Sequence, residues 1–322
     1  MTKSHSAIAL FISVCLIWGT TWLAMELAVA TIPPVFATGM RFLIASPLLI
    51  ALCVILKQPI LFPKGQRGWM PIISLFYFAL PFSLMIIGEQ YISSGLASIL
   101  FSTMPIAVMI SSRFLLGLKL KAHQYIGLLM AVVALVVILS LEMNVNARAL
   151  GLGVAALLTA VAMHAIMYAL VQKHCQTVPV LTYNALPCTL AALFLLIFSY
   201  LREPLAFDAF SMQSMFAVVY LGLFASVGGI VAYFKLGQVS SPFSASMCFL
   251  IFPLIALSLS HWVQGASLSE QSFWLLIPLL AGIGLTKVPS INWPVSFHQK
   301  AKGSLTSHQE ECPQCHKVHP QT

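Results

Sequence analysis

The sequence predicts an all-α polytopic membrane protein, with ten transmembrane helices in two inverted five-helix repeats. Three observations carry this reading: composition, the spacing of charged residues, and a weak self-similarity between the two halves. Of the 322 residues, 60% are hydrophobic and only 7% are charged, against about 45–50% and about 25% in soluble domains. So few charges cannot cover a water-facing surface, and a chain this apolar does not stay solvated as a disordered one.

A helix needs about 20 mostly apolar residues to cross about 30 Å of hydrocarbon. Stretches free of Lys, Arg, Asp and Glu, divided at Pro, Gly and polar clusters, place spans near residues 7–28, 35–56, 69–89, 95–115, 123–141, 149–171, 180–201, 211–234, 242–262 and 271–288. The first follows a single basic residue, Lys3, and ends on Ala28-Val29-Ala30, which has the form of a signal-peptide cleavage site. Its apolar run exceeds a signal-peptide core and another span follows closely, so it reads as a retained helix. The second opens at Pro33-Pro34 and holds Arg41 two turns in; the third ends on Glu89-Gln90. The fourth and ninth are rich in small residues, with Pro105 and Pro253 midway as expected bends for moving helices. His164 and Tyr168 share a face of the sixth, Asn184 opens the seventh with no role assigned, and Lys235 ends the eighth. The segments 1–146 and 147–288 are the expected repeats, and 289–322 is expected to be a disordered cytoplasmic tail.

Cytoplasmic loops are enriched in Lys and Arg. With the N-terminus inside, thirteen of the sixteen basic residues fall on the inner side; only Arg148 and Arg202 lie outside, and Arg41 is within a span. Both termini are therefore expected in the cytoplasm of a multi-pass cell-membrane protein. The net charge of +8 is spread over short loops, so it marks topology and calls for no nucleic acid. Seven Cys residues imply no disulfide framework.

Sliding the chain against itself pairs Trp18 with His164 and Pro33 with Pro179 at an offset of 146, Ser93-Ser94 with Ser240-Ser241 at 147, and Ala97, Ser98, Pro105 and Gly117 with Ala245, Ser246, Pro253 and Gly265 at 148. Five spans per half is an odd number, so the halves must be inverted relative to each other, with a substrate site expected between them near the midplane.

Trp18-Gly19-Thr20-Thr21-Trp22 in the first span, Pro33-Pro34 with Arg41-Phe42 in the second, and Gly88-Glu89-Gln90-Tyr91, Ser94-Gly95-Leu96-Ala97-Ser98 and Thr103-Met104-Pro105 at the third and fourth together resemble the drug/metabolite transporter superfamily and its EamA-type members. The resemblance covers residues 7–288. It implies a secondary transporter with a central cavity lined by the first, third, fourth, sixth, eighth and ninth spans, moving small organic metabolites or drug-like compounds by alternating access in the export direction. The chain departs from the family where a Gly-Glu pair is usual, having Gly117-Leu118 and Gly265-Ala266, and where a basic residue is common, having Glu26.

The candidate substrate-binding or coupling residues are Trp18, Trp22, Arg41, Glu89, Gln90, Ser98, His164 and Tyr168. An intramembrane Arg costs about 2.5–3.5 kcal/mol on insertion scales unless paired or wetted, so Arg41 is expected either to pair with Glu26 and lock the first hairpin, or to bind an anionic substrate group. Glu89 and Gln90 end the third span near the outer face, where Glu89 reads as a solvated interfacial residue or as a proton- or substrate-coupled carboxylate facing the cavity. His164 reads as bonded to a backbone carbonyl or as a proton relay. Trp18, Trp22 and Tyr168 suit an aromatic lining or ordinary packing. Ser98 belongs to a stripe of small residues, Ser94 to Ser102, that recurs at Ser241, Ser244, Ala245 and Ser246 and permits close helix approach.

In the tail, Cys312-Pro313-Gln314-Cys315-His316 matches a c-type haem string, but a cytoplasmic location favours a weak zinc half-site at Cys312, Cys315 and His316. A membrane redox or metal protein using that tail is the competing reading. No Gly-x4-Gly-Lys-Ser/Thr loop is present and no catalytic constellation is seen, so no enzyme is expected and no cofactor beyond that zinc. Expected partners are the lipid bilayer, a small organic substrate, and a proton or sodium ion for coupling. A homodimer stays open.

Overall fold

The computed structural model describes residues 3–142, 147–240, 245–265 and 268–288. Every regular element among them is helical, which satisfies the backbone within each segment where lipid offers it no partner. The helices are α1 (Lys3–Ala28), α2 (Pro34–Ile55), α3 (Trp69–Gly88), α4 (Ser94–Leu115), α5 (Ala122–Glu142), α6 (Ala147–His174), α7 (Val180–Arg202), α8 (Met212–Val239), α9 (Cys248–Gln264) and α10 (Glu270–Lys287). The first eight are long and apolar enough to cross a membrane. The 17 residues of α9 fall short on length, and α10 is diluted by polar residues at both ends, Glu270-Gln271-Ser272 and Thr286-Lys287.

Local chemistry sets the helix ends. Pro34 starts α2 at a position where a missing N–H costs nothing. The hydroxyls of Ser93, Ser211 and Ser269 accept from the amides of Leu96, Ser214 and Ser272, capping α4, α8 and α10. Gly117 and Gly265, which end α4 and α9, have φ of 69° and 68°, a left-handed conformation that glycine adopts without a Cβ penalty. Their agreement in the repeat alignment thus has a backbone cause.

Packing follows a twofold pattern. Helix α2 packs on α7, α5 on α10 and α4 on α9, each helix against its own counterpart. The remaining major contacts come in matched pairs: α1 on α9 with α6 on α4, α3 on α6 with α8 on α1, and α2 on α8 with α7 on α3. Small residues make the close crossings. A Cβ added to Gly127 of α5 or Gly282 of α10 would lie 2.6 Å from the other's carbonyl oxygen, and one on Gly95 of α4 would meet Leu257 of α9 at 2.9 Å. Such close backbone approach is a main source of helix association in lipid.

Two features refine the spans read from the sequence. Both α3 and α8 contain a π stretch, Ser74–Ala79 and Leu221–Gly228, whose starts are 147 positions apart. Helix α4 is interrupted at Thr103, two residues before Pro105. In α9, Pro253 lies inside a continuous helix that begins after Met247.

Charge is segregated along the bundle. All six carboxylates before Pro289, namely Glu26, Glu89, Glu142, Glu203, Asp208 and Glu270, sit at the end where the odd-numbered helices finish. Lys57, Lys64, Lys119, Lys121, Lys173, Lys235 and Lys287 sit at the opposite end.

Candidate functional site

Between the halves lies a connected cluster of rings. Trp18 of α1 packs against Tyr233 of α8 at 5.0 Å between centroids, and against Phe249 and Phe252 of α9 at 5.6 and 6.4 Å. Trp22, one turn on, stacks on Phe252 and meets Phe101 of α4 at 5.3 Å. Phe101 then reaches His164 of α6, which is ringed edge-on by Tyr77 and Phe82 of α3 at 5.0 and 5.1 Å. The cluster draws on α1, α3, α4, α6, α8 and α9, the six helices that the resemblance implied.

The two centres of this cluster are counterparts. His164 sits in α6 against α3 and α4; Trp18 sits in α1 against α8 and α9. Phe82, which faces His164, corresponds to Gly229, where a Cβ would fall 2.6 Å from Trp18 Nε1. A small ring faces a phenylalanine in one half, and a large ring faces a glycine in the other. His164 is 3% exposed, and its Nδ1 lies 3.0 Å from the Ala160 carbonyl. That bond needs the ring proton on Nδ1.

Arg41 is buried, but it does not pair with Glu26. Its Nε donates to Ser226 Oγ at 2.8 Å, its Nη1 lies 3.7 Å from Met25 Sδ, and its guanidinium stands over the Phe82 ring at 4.9 Å and Phe42 at 5.9 Å. Ser226 is in the π stretch of α8, so the cation fastens the two halves together. The Glu26 carboxylate accepts instead from the Ser94 amide at 2.9 Å. An orphan amide at a helix start binds an anion well, and proximity in sequence to Arg41 did not reveal that competitor.

The other candidates divide. Glu89 is 4% exposed and neither carboxylate oxygen has a hydrogen-bond partner, which excludes the solvated interfacial role. Gln90 is exposed and stands apart from the cluster. Ser98 is fully buried and its hydroxyl donates to Gly95 O at 2.6 Å within its own helix, so it serves the α4–α9 crossing. Tyr168 is 48% exposed: four residues beyond His164, the same helix face has already left the packed core. Tyr77, Tyr183 and Phe78, which sequence reasoning passed over, flank the cluster on the α7 side; isolated aromatics in apolar spans carry no signal that separates them from lipid-facing ones. An apolar groove of about 400 Å³ runs between α1 and α8, bounded by Thr20, Leu23, Ala24, Leu27, Gln213, Phe216, Ala217 and Tyr220, and Thr20 Oγ1 bonds Tyr220 Oη across it at 2.5 Å.

The description of EamA-like transporters fits residues 5–140 and again 151–288. The chain belongs to the EamA-like transporter family. It is similar to protein PagO of Salmonella typhimurium, 50% identical over 287 residues that make up 89% of this chain and 94% of that protein. It also resembles an uncharacterized transporter of Buchnera aphidicola subsp. Schizaphis graminum, 44% identical over 88% of this chain and 94% of that one, and the uncharacterized transporter YoaV of Bacillus subtilis, 28% identical over 79% and 86%. One crystal structure superimposes with a TM-score of 0.63 over 87% of this chain and 96% of its own; at 18% identity that likeness shows the fold alone. As an EamA-like protein the chain is a multi-pass membrane protein of a transporter family, with ten helices in two repeats.

Cys312, Cys315 and His316 lie outside the described residues, as do Ser241 and Ser244. Among the described residues no three His, Cys, Asp or Glu side chains are grouped to hold a metal.

Proposed function

We propose that this EamA-like chain is a secondary transporter that exports small organic metabolites or drug-like compounds across the inner or plasma membrane by alternating access, with both termini in the cytoplasm. The observation that carries it is the ring cluster shared by six helices at the twofold interface of the halves. A site placed there can be turned toward either side by rocking one repeat against the other. Trp18, Trp22 and His164 offer stacking faces to an organic cargo, Arg41 a fixed cation, and Tyr168 a polar rim at the open edge of the same face of α6. The charge bias supports the orientation, and the lack of a nucleotide phosphate loop supports coupling to a proton or sodium gradient.

The test is untargeted metabolite profiling of medium and cell extract. Cells producing the chain are compared with cells producing His164→Ala at equal membrane abundance, and with empty cells. A compound enriched in the medium only with the intact chain is the expected result. Enrichment inside the cell would reverse the direction, and identical profiles in all three would remove the reading.

A further inference from the structure

Four carboxylates stand where odd-numbered helices finish: Glu26 in the last turn of α1, Glu89 after α3, Glu142 ending α5 and Glu203 after α7. Three of them bond the start of a neighbouring helix. Glu26 accepts from the Ser94 amide of α4, Glu142 from the Ser269 amide and hydroxyl ahead of α10, and Glu203 from the amides of Val35 and Phe36 in α2. Glu89 bonds nothing, although both its oxygens are sealed from solvent. Ser94 Oγ, on the residue whose amide holds Glu26, is equally buried and unpartnered.

The charged groups facing Glu89 are Glu26 from α1 and Arg41 from α2; the Arg41 guanidinium donates to Ser226 and makes no hydrogen bond to Glu89. Helix α6 packs on the end of α3 at Gly88 through Gly153 and Leu157, and between Leu150 and Thr159 it has no titratable side chain. The first two turns of α4 have none either, and Tyr91 in the connecting turn is exposed. An ionised carboxylate without hydrogen bonds in such a place costs far more than packing returns, so it must be neutralised by what it binds.

We propose that Glu89, facing the Glu26 carboxylate, is the site of the coupling cation, a proton, and that its occupancy holds this end of the bundle closed. With the proton bound, Glu89 is neutral and Glu26 is free to hold the start of α4. When Glu89 releases the proton to water, its buried carboxylate faces the half-buried carboxylate of Glu26, and their repulsion acts on the Glu26–Ser94 bond that ties α1 to α4. What the proton drives rests on the transporter reading; where it binds does not.

The experiment uses the full chain in nanodiscs in choline buffer. Infrared titration should show a protonated-carboxyl C=O band at neutral pH that vanishes at alkaline pH, is absent in Glu89→Gln, shifts in Glu89→Asp and persists in Glu142→Gln. In parallel, a membrane-impermeant maleimide is applied to Ala97→Cys, one turn into α4, with rates normalised to the exposed Tyr91→Cys. Opening from a minor to a major state should raise labelling about tenfold at alkaline pH, and a Glu89→Gln background should abolish that rise. A band indifferent to Glu89 substitution overturns the site. Loss of the band on replacing choline with sodium at fixed pH makes the cation sodium and overturns the proton. Labelling that rises equally without Glu89 overturns the closure. The Glu89→Asp shift keeps the test decisive if Glu89→Gln does not reach the membrane. Neither readout involves cargo, so a failed metabolite profile and a failed titration are separate results.

Discussion

At one end of the bundle, carboxylates reach from the finish of one helix to the bare amides at the start of another; at the opposite end, neutral or cationic donors meet the carbonyls where helices finish. There Gln66 bonds His174 O, Gln124 bonds Thr286 O, and Lys173 reaches Leu115 O at 3.4 Å, while Thr182 bonds Pro59 O in the loop after α2. Each end has both starts and finishes, so helix polarity alone does not explain the choice. Retention of Lys and Arg on one side during insertion does. It leaves anions for the other side, where the orphan groups that anions can satisfy are amides. Charge-assisted bonds are the stronger kind, so the carboxylate end should be the more firmly tied.

That asymmetry orders the expected effects. Glu203→Ala removes two amide bonds and the Ser199 hydroxyl bond at 2.6 Å, and should cost about 2 kcal/mol, read as a lowered thermal midpoint in detergent. Glu26→Ala loses one partly buried cap and should cost about 1 kcal/mol; the former expectation of an Arg41 pair would instead make Glu26→Ala worse than Glu26→Ala with Arg41→Ala. Glu142→Ala, at a more open site, should cost about 0.5 kcal/mol after screening. Lys173→Ala, at the other end, should leave the midpoint unchanged within error. Equal losses from Lys173 and Glu203 would break the comparison, whereas a graded series would sharpen it.

The ten spans were legible because apolar runs bounded by charge are a direct consequence of bilayer thickness, and each predicted range overlaps its helix. The twofold relation was legible where the backbone demands a residue type, as at Gly117 and Gly265, or where equivalent rings face the interface, as at Trp18 and His164. The partners of charged side chains were not. Glu26 and Arg41 are neighbours along a hairpin, but the nearer claim on Glu26 comes from α4, and helix rotation is invisible in a sequence apolar on every face. The π stretches left no trace either, since one surplus residue does not disturb a pattern with no polar stripe. The surroundings of Ser98, which bonds within its own helix, and of Tyr168, at the open edge of α6, were hidden for the same reason: spacing placed them on a face without saying which way that face turns.

The π stretches have a mechanical consequence. Such a turn contains one residue more than an α turn, so sliding it along a helix re-aims the side chains it passes by about 100° while both helix ends keep their places. Tyr77 lies in one stretch and Ser226 in the other. The ring beside His164 and the hydroxyl that holds Arg41 are thus mounted on swivels, in helices whose ends need not travel for them to turn.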